Sequence, residues 1–258
     1  MTLVHAVILG IVEGLTEFLP ISSTAHLIFT SNFLGLKQTE FTKFFEVFIQ
    51  SGAVIAIVLL YFQYIFKNKS LIRNLIISFI PTAIVGLVLH KLIKTIFFES
   101  SLLILSAFFI VGLIFLVFEY LVKKGKIKPH RRINEMKLWE AITIGLGQAT
   151  AVIPGVSRAG AVIITMMGYN FRRDESALYS FLLAVPTIVA AGIFDLLKTD
   201  FSLISNPENL LTLAVGFITS FICALVVVKL FIKYLQKNTL IPFGLYRILL
   251  ALLLWGLL

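Results

Sequence analysis

Two short stretches of an otherwise apolar chain carry side chains able to do chemistry. The first is Glu13-Gly-Leu-Thr-Glu17-Phe-Leu-Pro20-Ile-Ser22-Ser23-Thr24-Ala25-His26. The second is Pro154-Gly155-Val156-Ser157-Arg158-Ala159-Gly160, with Gln148 shortly before it. Glu13 and Glu17 stand four apart, which puts both carboxylates on one helix face. They repel there unless a proton, a donor or a cation lies between them. A metal ion, His26 and Arg158 are the candidates, and a charge network that only orders the chain is the plainer reading. Ser23 and His26 are three apart, so a hydroxyl and an imidazole can meet on the turn after Pro20. A serine becomes a nucleophile when a base takes its proton, and Glu17 or Glu13 can orient such a base. The same residues also describe a capped helix with a buried histidine, Ser22 being the expected N-cap. Pro154-Gly155 leading into Ser157-Arg158 offers helix-start N–H groups and a guanidinium fork, which together suit phosphate oxygens. Arg158 pairing with Glu13 or Glu17 is the alternative, and a paired arginine is also a pre-oriented one.

Other chemistries lack their residues. There is no Walker A sequence, and Gly155-Val-Ser157-Arg-Ala-Gly160 has one residue too many for the G-x-S-x-G elbow. No two histidines have zinc spacing. His5, His90 and His130 are isolated and read as structural or solvated. Cys223 is the single cysteine, so no disulfide forms within the chain.

The elements that must position these residues are membrane helices. Of 258 residues, 59% are hydrophobic and 14% charged, against roughly 45–50% and about 25% in soluble domains. This excludes an ordinary water-soluble enzyme and intrinsic disorder. Residues 1–20 lack a basic start and carry Glu13 and Glu17, which argues against a signal peptide. Six apolar segments are each long enough to cross a bilayer: Phe44–Tyr64, Leu71–His90, Leu102–Leu121, Ser176–Leu197, Leu210–Leu235 and Leu240–Leu258. Residues 1–34 and 138–169 are instead broken in the middle by proline and polar residues. They read as two re-entrant helix–break–helix hairpins, each entering and leaving on one side.

The halves also resemble each other. Ala6–Glu13 lines up with Ala141–Gln148 at an offset of 135, and Pro20–Ala25 with Pro154–Ala159 at an offset of 134. Three spans lie between the hairpins, so the repeats are inverted. The expectation is one all-α polytopic membrane domain with repeats at about 1–121 and 138–258, joined by the basic loop 122–137. Inverted repeats with broken helices place polar sites near the bilayer midplane, so the two breaks should meet.

The net charge of +9 records topology rather than a nucleic-acid partner. Fifteen loop lysines and arginines fall on one side, among them the run within 122–137. Five fall on the other: Lys37, Lys43, Lys91, Lys94 and Lys198. Arg158 and Arg247, within or beside apolar segments, belong to neither count. The richer side is cytoplasmic, which places both termini and the opening of the site outside the cytoplasm. The basic loop itself reads as a solvated topology signal able to touch anionic lipid.

Glu13–Leu27 (EGLTEFLPISSTAHL) and Pro154–Gly160 (PGVSRAG) resemble the two signature segments of the undecaprenyl-pyrophosphate phosphatase family, the bacitracin-resistance membrane proteins. The resemblance extends over the whole chain and includes Ser180-Phe-Leu-Leu-Ala-Val-Pro186. It implies six spans with two re-entrant hairpins in the bacterial plasma membrane. It also implies hydrolysis of a C55 polyprenyl diphosphate to the monophosphate that carries cell-wall precursors. Ser23 then resembles the nucleophile, His26 its partner, and Glu13 and Glu17 the signature glutamates. Ser157 and Arg158 resemble the diphosphate-binding pair. Ala25, Ala159 and Val162 depart from the usual glycine, serine and threonine, and the last two remove hydroxyls from the phosphate side.

The expected mechanism has Ser23 attacking the terminal phosphorus while His26 takes its proton. Direct attack by water activated at His26 is the main variant. Glu17 positions His26, or holds a divalent cation (Mg or Ca) together with Glu13; no organic cofactor is expected. Arg158, Ser157, Gly155 and Thr24 hold the phosphate oxygens. The partners are the prenyl lipid and membrane lipids, with a homodimer compatible. A transporter or flippase of an anionic lipid, built on the same repeats, is the competing class, and it needs no nucleophile.

Overall fold

The computed structural model describes residues 1–92, 100–199, 203 and 206–256, without the side chains of 90–92. Lys94, the side chains of His90 and Lys91, and residues 257–258 of the last apolar segment lie outside the described residues. The described residues form ten α-helices and two single-turn 3₁₀ helices. The α-helices are α1 Leu3–Thr16, α2 Ser23–Phe33, α3 Glu40–Lys67, α4 Lys69–Leu92, α5 Ser101–Lys123, α6 Leu138–Ala149, α7 Arg158–Gly168, α8 Arg173–Leu196, α9 Pro207–Leu235 and α10 Ile241–Trp255.

Local chemistry sets many of their starts. Thr2 and His5 form a reciprocal capping box on α1. Thr39 caps α3 through the Thr42 amide and Ser100 caps α5 through the Leu103 amide. Asn206 caps α9 ahead of Pro207. Each cap supplies an acceptor to an otherwise orphan N–H, and Pro207 has no N–H to satisfy. His5 thus serves as a structural cap, as expected.

Five helices, α3, α4, α5, α8 and α9, are long and apolar enough to cross a bilayer. Their exposed faces carry large apolar side chains: Leu59, Leu87, Val88, Leu102 and Leu230 are each more than 60% exposed. In water such a surface would not persist, whereas in lipid it is the expected outer face. The chain is a multi-pass membrane protein. The sixth expected segment contributes α10, which has 15 described helical residues. The two broken stretches give short pairs, α1 and α2 of 14 and 11 residues, α6 and α7 of 12 and 11.

Small residues let the short helices approach long ones. A Cβ on Gly10 or Gly14 of α1 would strike the Gly216 or Ser220 carbonyl of α9. A Cβ on Gly145 of α6 would strike the Ser78 carbonyl and Pro81 of α4. Hydroxyls tighten the second crossing: Ser78 donates to the Ala141 carbonyl at 2.7 Å and Thr82 to the Gly145 carbonyl at 3.1 Å. Glycine-lined crossings of this kind, with hydrogen bonds between helices, hold membrane helices where lipid removes the hydrophobic drive.

The basic loop is more than a solvated run. Arg131 bonds both Glu140 oxygens (2.6 and 3.0 Å) and the Tyr169 and Glu135 carbonyls, and lies 4.3 Å over the Phe171 ring. It clips the loop to the ends of α6 and α7. The lysines around it stay exposed.

Candidate active site

Each broken pair turns at a strained residue. Ser22, before α2, has φ +66°, and Ser157, before α7, has φ +75°. Non-glycine residues pay for a positive φ, and such conformations concentrate at functional turns. The two serines are 135 apart, so a single register runs through both breaks. The 134 offset read from the prolines is corrected: Ser22 matches Ser157, and Ser23 matches Arg158.

Ser22 sits at the N-cap position, but its side chain makes no capping bond. Its carbonyl instead accepts from His26 Nδ1 at 2.8 Å. Ser157 does cap α7, accepting from the Gly160 amide at 3.2 Å. Gly155 is required at its position: its φ is +95°, and a Cβ would strike the Ile104 carbonyl.

The breaks meet as the sequence predicts. Arg158 donates from Nη2 to Glu17 Oε1 at 3.0 Å and from Nη1 to the Ser180 carbonyl at 2.7 Å. Ser23 Oγ donates to the other Glu17 oxygen. Glu17 thereby joins the hydroxyl of the first break to the guanidinium of the second. A cavity of about 160 Å³ opens on this group, lined by Glu17, Ser23, Thr24, Gly155, Ser157 and Arg158. Its apolar lining includes Ile153, Ile188 and Ala191, and Gln50 and Thr187 also line it.

One expected contact is absent. His26 does not bond Ser23; its Nε2 lies 2.7 Å from the Tyr246 hydroxyl, and its ring stacks on Tyr246. The imidazole points across α10 because both of its nitrogens find partners there and at the Ser22 carbonyl. Glu13 is fully buried next to Glu17, and neither of its oxygens has a donor. Two buried acids without a donor between them fit a cation or a shared proton. Among the described residues, no group of three or more His, Cys, Asp or Glu gathers as a metal shell.

Sequence reasoning missed Arg247 and Tyr246. Arg247 is wholly buried and donates to the Phe108 carbonyl (3.1 Å), the Pro20 carbonyl (3.2 Å) and the Gly155 carbonyl. Its guanidinium also lies 4.3 Å over the Phe108 ring. Pro20 and Gly155 are again 135 apart, so one side chain ties the same point of both breaks. The signal was available: an arginine inside an apolar segment costs several kcal/mol unless satisfied.

Comparison with known proteins shows which family the whole chain belongs to. The family model for bacitracin resistance protein BacA matches residues 6–253. The undecaprenyl-diphosphatase of Aquifex aeolicus (strain VF5) is 44% identical over 252 residues, covering 98% of this chain and 97% of its own. That of Persephonella marina is 45% identical over 254 residues, with 97% of each chain covered. That of Methanococcus aeolicus is 40% identical over 256 residues, with 98% of each covered. With the family model spanning residues 6–253 and relatives 40–45% identical over nearly the full length, the chain belongs to the bacitracin resistance protein BacA family.

Proposed function

We propose that this protein is a membrane phosphatase that hydrolyses undecaprenyl diphosphate to undecaprenyl phosphate and inorganic phosphate, returning the lipid carrier to cell-wall synthesis. The observation that carries the reading is the Ser23–Glu17–Arg158 group, built from both breaks inside one cavity. A transporter needs a cationic site but no hydroxyl bonded to a carboxylate.

Glu17 is the group placed to take the Ser23 proton. Ser23 Oγ bonds to the terminal phosphorus, the bridging P–O bond breaks, and prenyl phosphate leaves. Water then cleaves the Ser23–phosphate bond, and the proton on Glu17 is released. Arg158 moves from Glu17 toward the phosphoryl oxygens as the carboxylate is neutralised, and stabilising those oxygens is the main task in phosphoryl transfer. Thr24, the Gly155 backbone and Ser157 line the phosphate side. His26 is a positioning residue that holds the strained Ser22 peptide and, through it, the Ser23 turn. Direct attack by water on the same phosphorus, with Glu17 as base, is the variant.

Glu13, together with Glu17 while its carboxylate is ionised, would hold a divalent cation, Mg or Ca. Such an ion supplies charge neutralisation for the diphosphate. The unpartnered Glu13 oxygens support this.

The reading includes a topology. α1–α2 and α6–α7 are re-entrant hairpins, too short to cross singly, and α10 is the sixth span. Repeats at about 1–121 and 138–258 are supported by paired crossings at one offset: Gly10 on Gly216, and Gly145 on Pro81. Gly112 on α5 lies against its own counterpart, Arg247, on α10. The basic loop faces the cytoplasm, and the termini and cavity mouth face outward across the bacterial inner membrane. One chain holds the complete group, so a homodimer is compatible but not needed.

The test is phosphate release from undecaprenyl diphosphate by purified protein in detergent, where transport is meaningless. Release by the wild type and its loss in Ser23→Ala support the reading. No release by folded wild type contradicts it.

A further inference from the structure

A second cavity lies away from this site and has no part in the mechanism. Its volume is about 340 Å³, and it sits between the C-terminal turn of α5, the start of α10 and the start of α8. Leu116, Val122 and Ile241 give it apolar lining, and Tyr120, Lys123, Arg173 and Thr239 give it polar lining. Its one carboxylate, Glu119, is already used. Glu119 accepts from Arg173 Nε at 2.8 Å and from the Leu240 amide at 2.9 Å, so this wall is neutral. Lys123 remains, and Lys124 folds back over the Tyr120 ring at 5.6 Å. Among the described residues neither lysine pairs with a carboxylate. The cavity therefore combines apolar lining with an unpaired cation, Lys123.

The surroundings extend this division. Leu113 and Val117 of α5, and Leu245 and Leu249 of α10, are exposed beyond the cavity on helices that pack together. Tyr120 is 57% exposed beside the lysines, the place an aromatic ring takes at a membrane–water boundary. Basic pockets between helices at such a boundary bind anionic head groups.

The geometry points to a structural site for an anionic phospholipid, with its phosphate at Lys123 and Thr239 and an acyl chain along Leu116, Ile241 and Leu245. A zwitterionic lipid matches the apolar lining but brings its own cation to Lys123. Free phosphate matches Lys123 but leaves the apolar lining bare.

The protein is purified in detergent and offered phosphatidylglycerol, phosphatidylcholine or inorganic phosphate, and retained lipid is counted by native mass spectrometry. Preferential retention of phosphatidylglycerol is expected. Lys123→Gln should weaken it about fivefold, and Lys123→Gln with Lys124→Gln further, at about one such factor for each basic residue near an anionic surface. Thr239→Trp, which fills the cavity, should abolish retention with both lysines intact. Melting temperature and phosphatase turnover of each variant show that it is folded. Equal retention of both lipids by the wild type would overturn the proposal. So would unchanged retention in the folded double variant, or competition by millimolar phosphate as effective as that of the lipid.

Discussion

The two broken helix pairs share a backbone plan and differ in what it carries. Both approach a long helix through a glycine at the same register, Gly10 and Gly145, and both turn at a positive-φ serine, Ser22 and Ser157. Both present a carbonyl at the same point to Arg247. Past that frame they diverge. Where the first pair has buried Glu13 with no donor, the second has Gln148, whose amide donates to Thr82 and Thr187. Where the first has Ser23, the second has Arg158. The frame thus holds a carboxylate–hydroxyl half and a cationic half, and in the proposed mechanism an equivalent backbone position would be reactive or anion-binding by side chain alone.

The largest break in that comparison is Ser23→Ala. It leaves the frame intact, and phosphate release should fall about 10³-fold or more. Arg158→Ala should cost a similar factor, and Arg158→Lys should restore little, because a point charge cannot stay on the Ser180 carbonyl and also present a fork to phosphate. Glu17→Gln removes the base and should cost about 10²–10⁴-fold. His26→Asn separates the two candidate bases. As a positioning residue its loss should cost well under the Glu17→Gln factor, and equal losses would return the imidazole to the role of base. Arg247→Met tests the frame itself. It leaves buried carbonyls at both breaks without a donor, at about 1–3 kcal/mol each, and should lower the melting temperature and turnover together. The smallest change is Glu13→Gln, which makes the first pair resemble the second. It should alter the divalent-ion dependence of turnover more than turnover at saturating ion.

Much of this was legible in the sequence because ionisable residues inside apolar runs are expensive and so mark themselves. Glu13, Glu17, His26 and Arg158 stood out for that reason, and the family signatures fixed their roles as expectations. The helix breaks were legible from Pro20 and Pro154 with the serines after them. Three features were not. The Ser23–His26 contact was inferred from spacing on one helix, but the histidine found Tyr246 on α10, a partner 220 positions away. The register through the breaks was read from prolines, although the backbone turn follows the serines. Arg247 marked itself by the same cost, but its partners were not legible, since nothing local shows that three carbonyls from distant segments converge on it.

The most direct test is an experimental structure with a non-hydrolysable prenyl methylenebisphosphonate. The terminal phosphonate should lie between Ser23 Oγ and the Arg158 guanidinium, with Arg247 still bonded to the Pro20 and Gly155 carbonyls. A phosphonate bound elsewhere, or Ser23 and Arg158 on separate surfaces, would contradict the account.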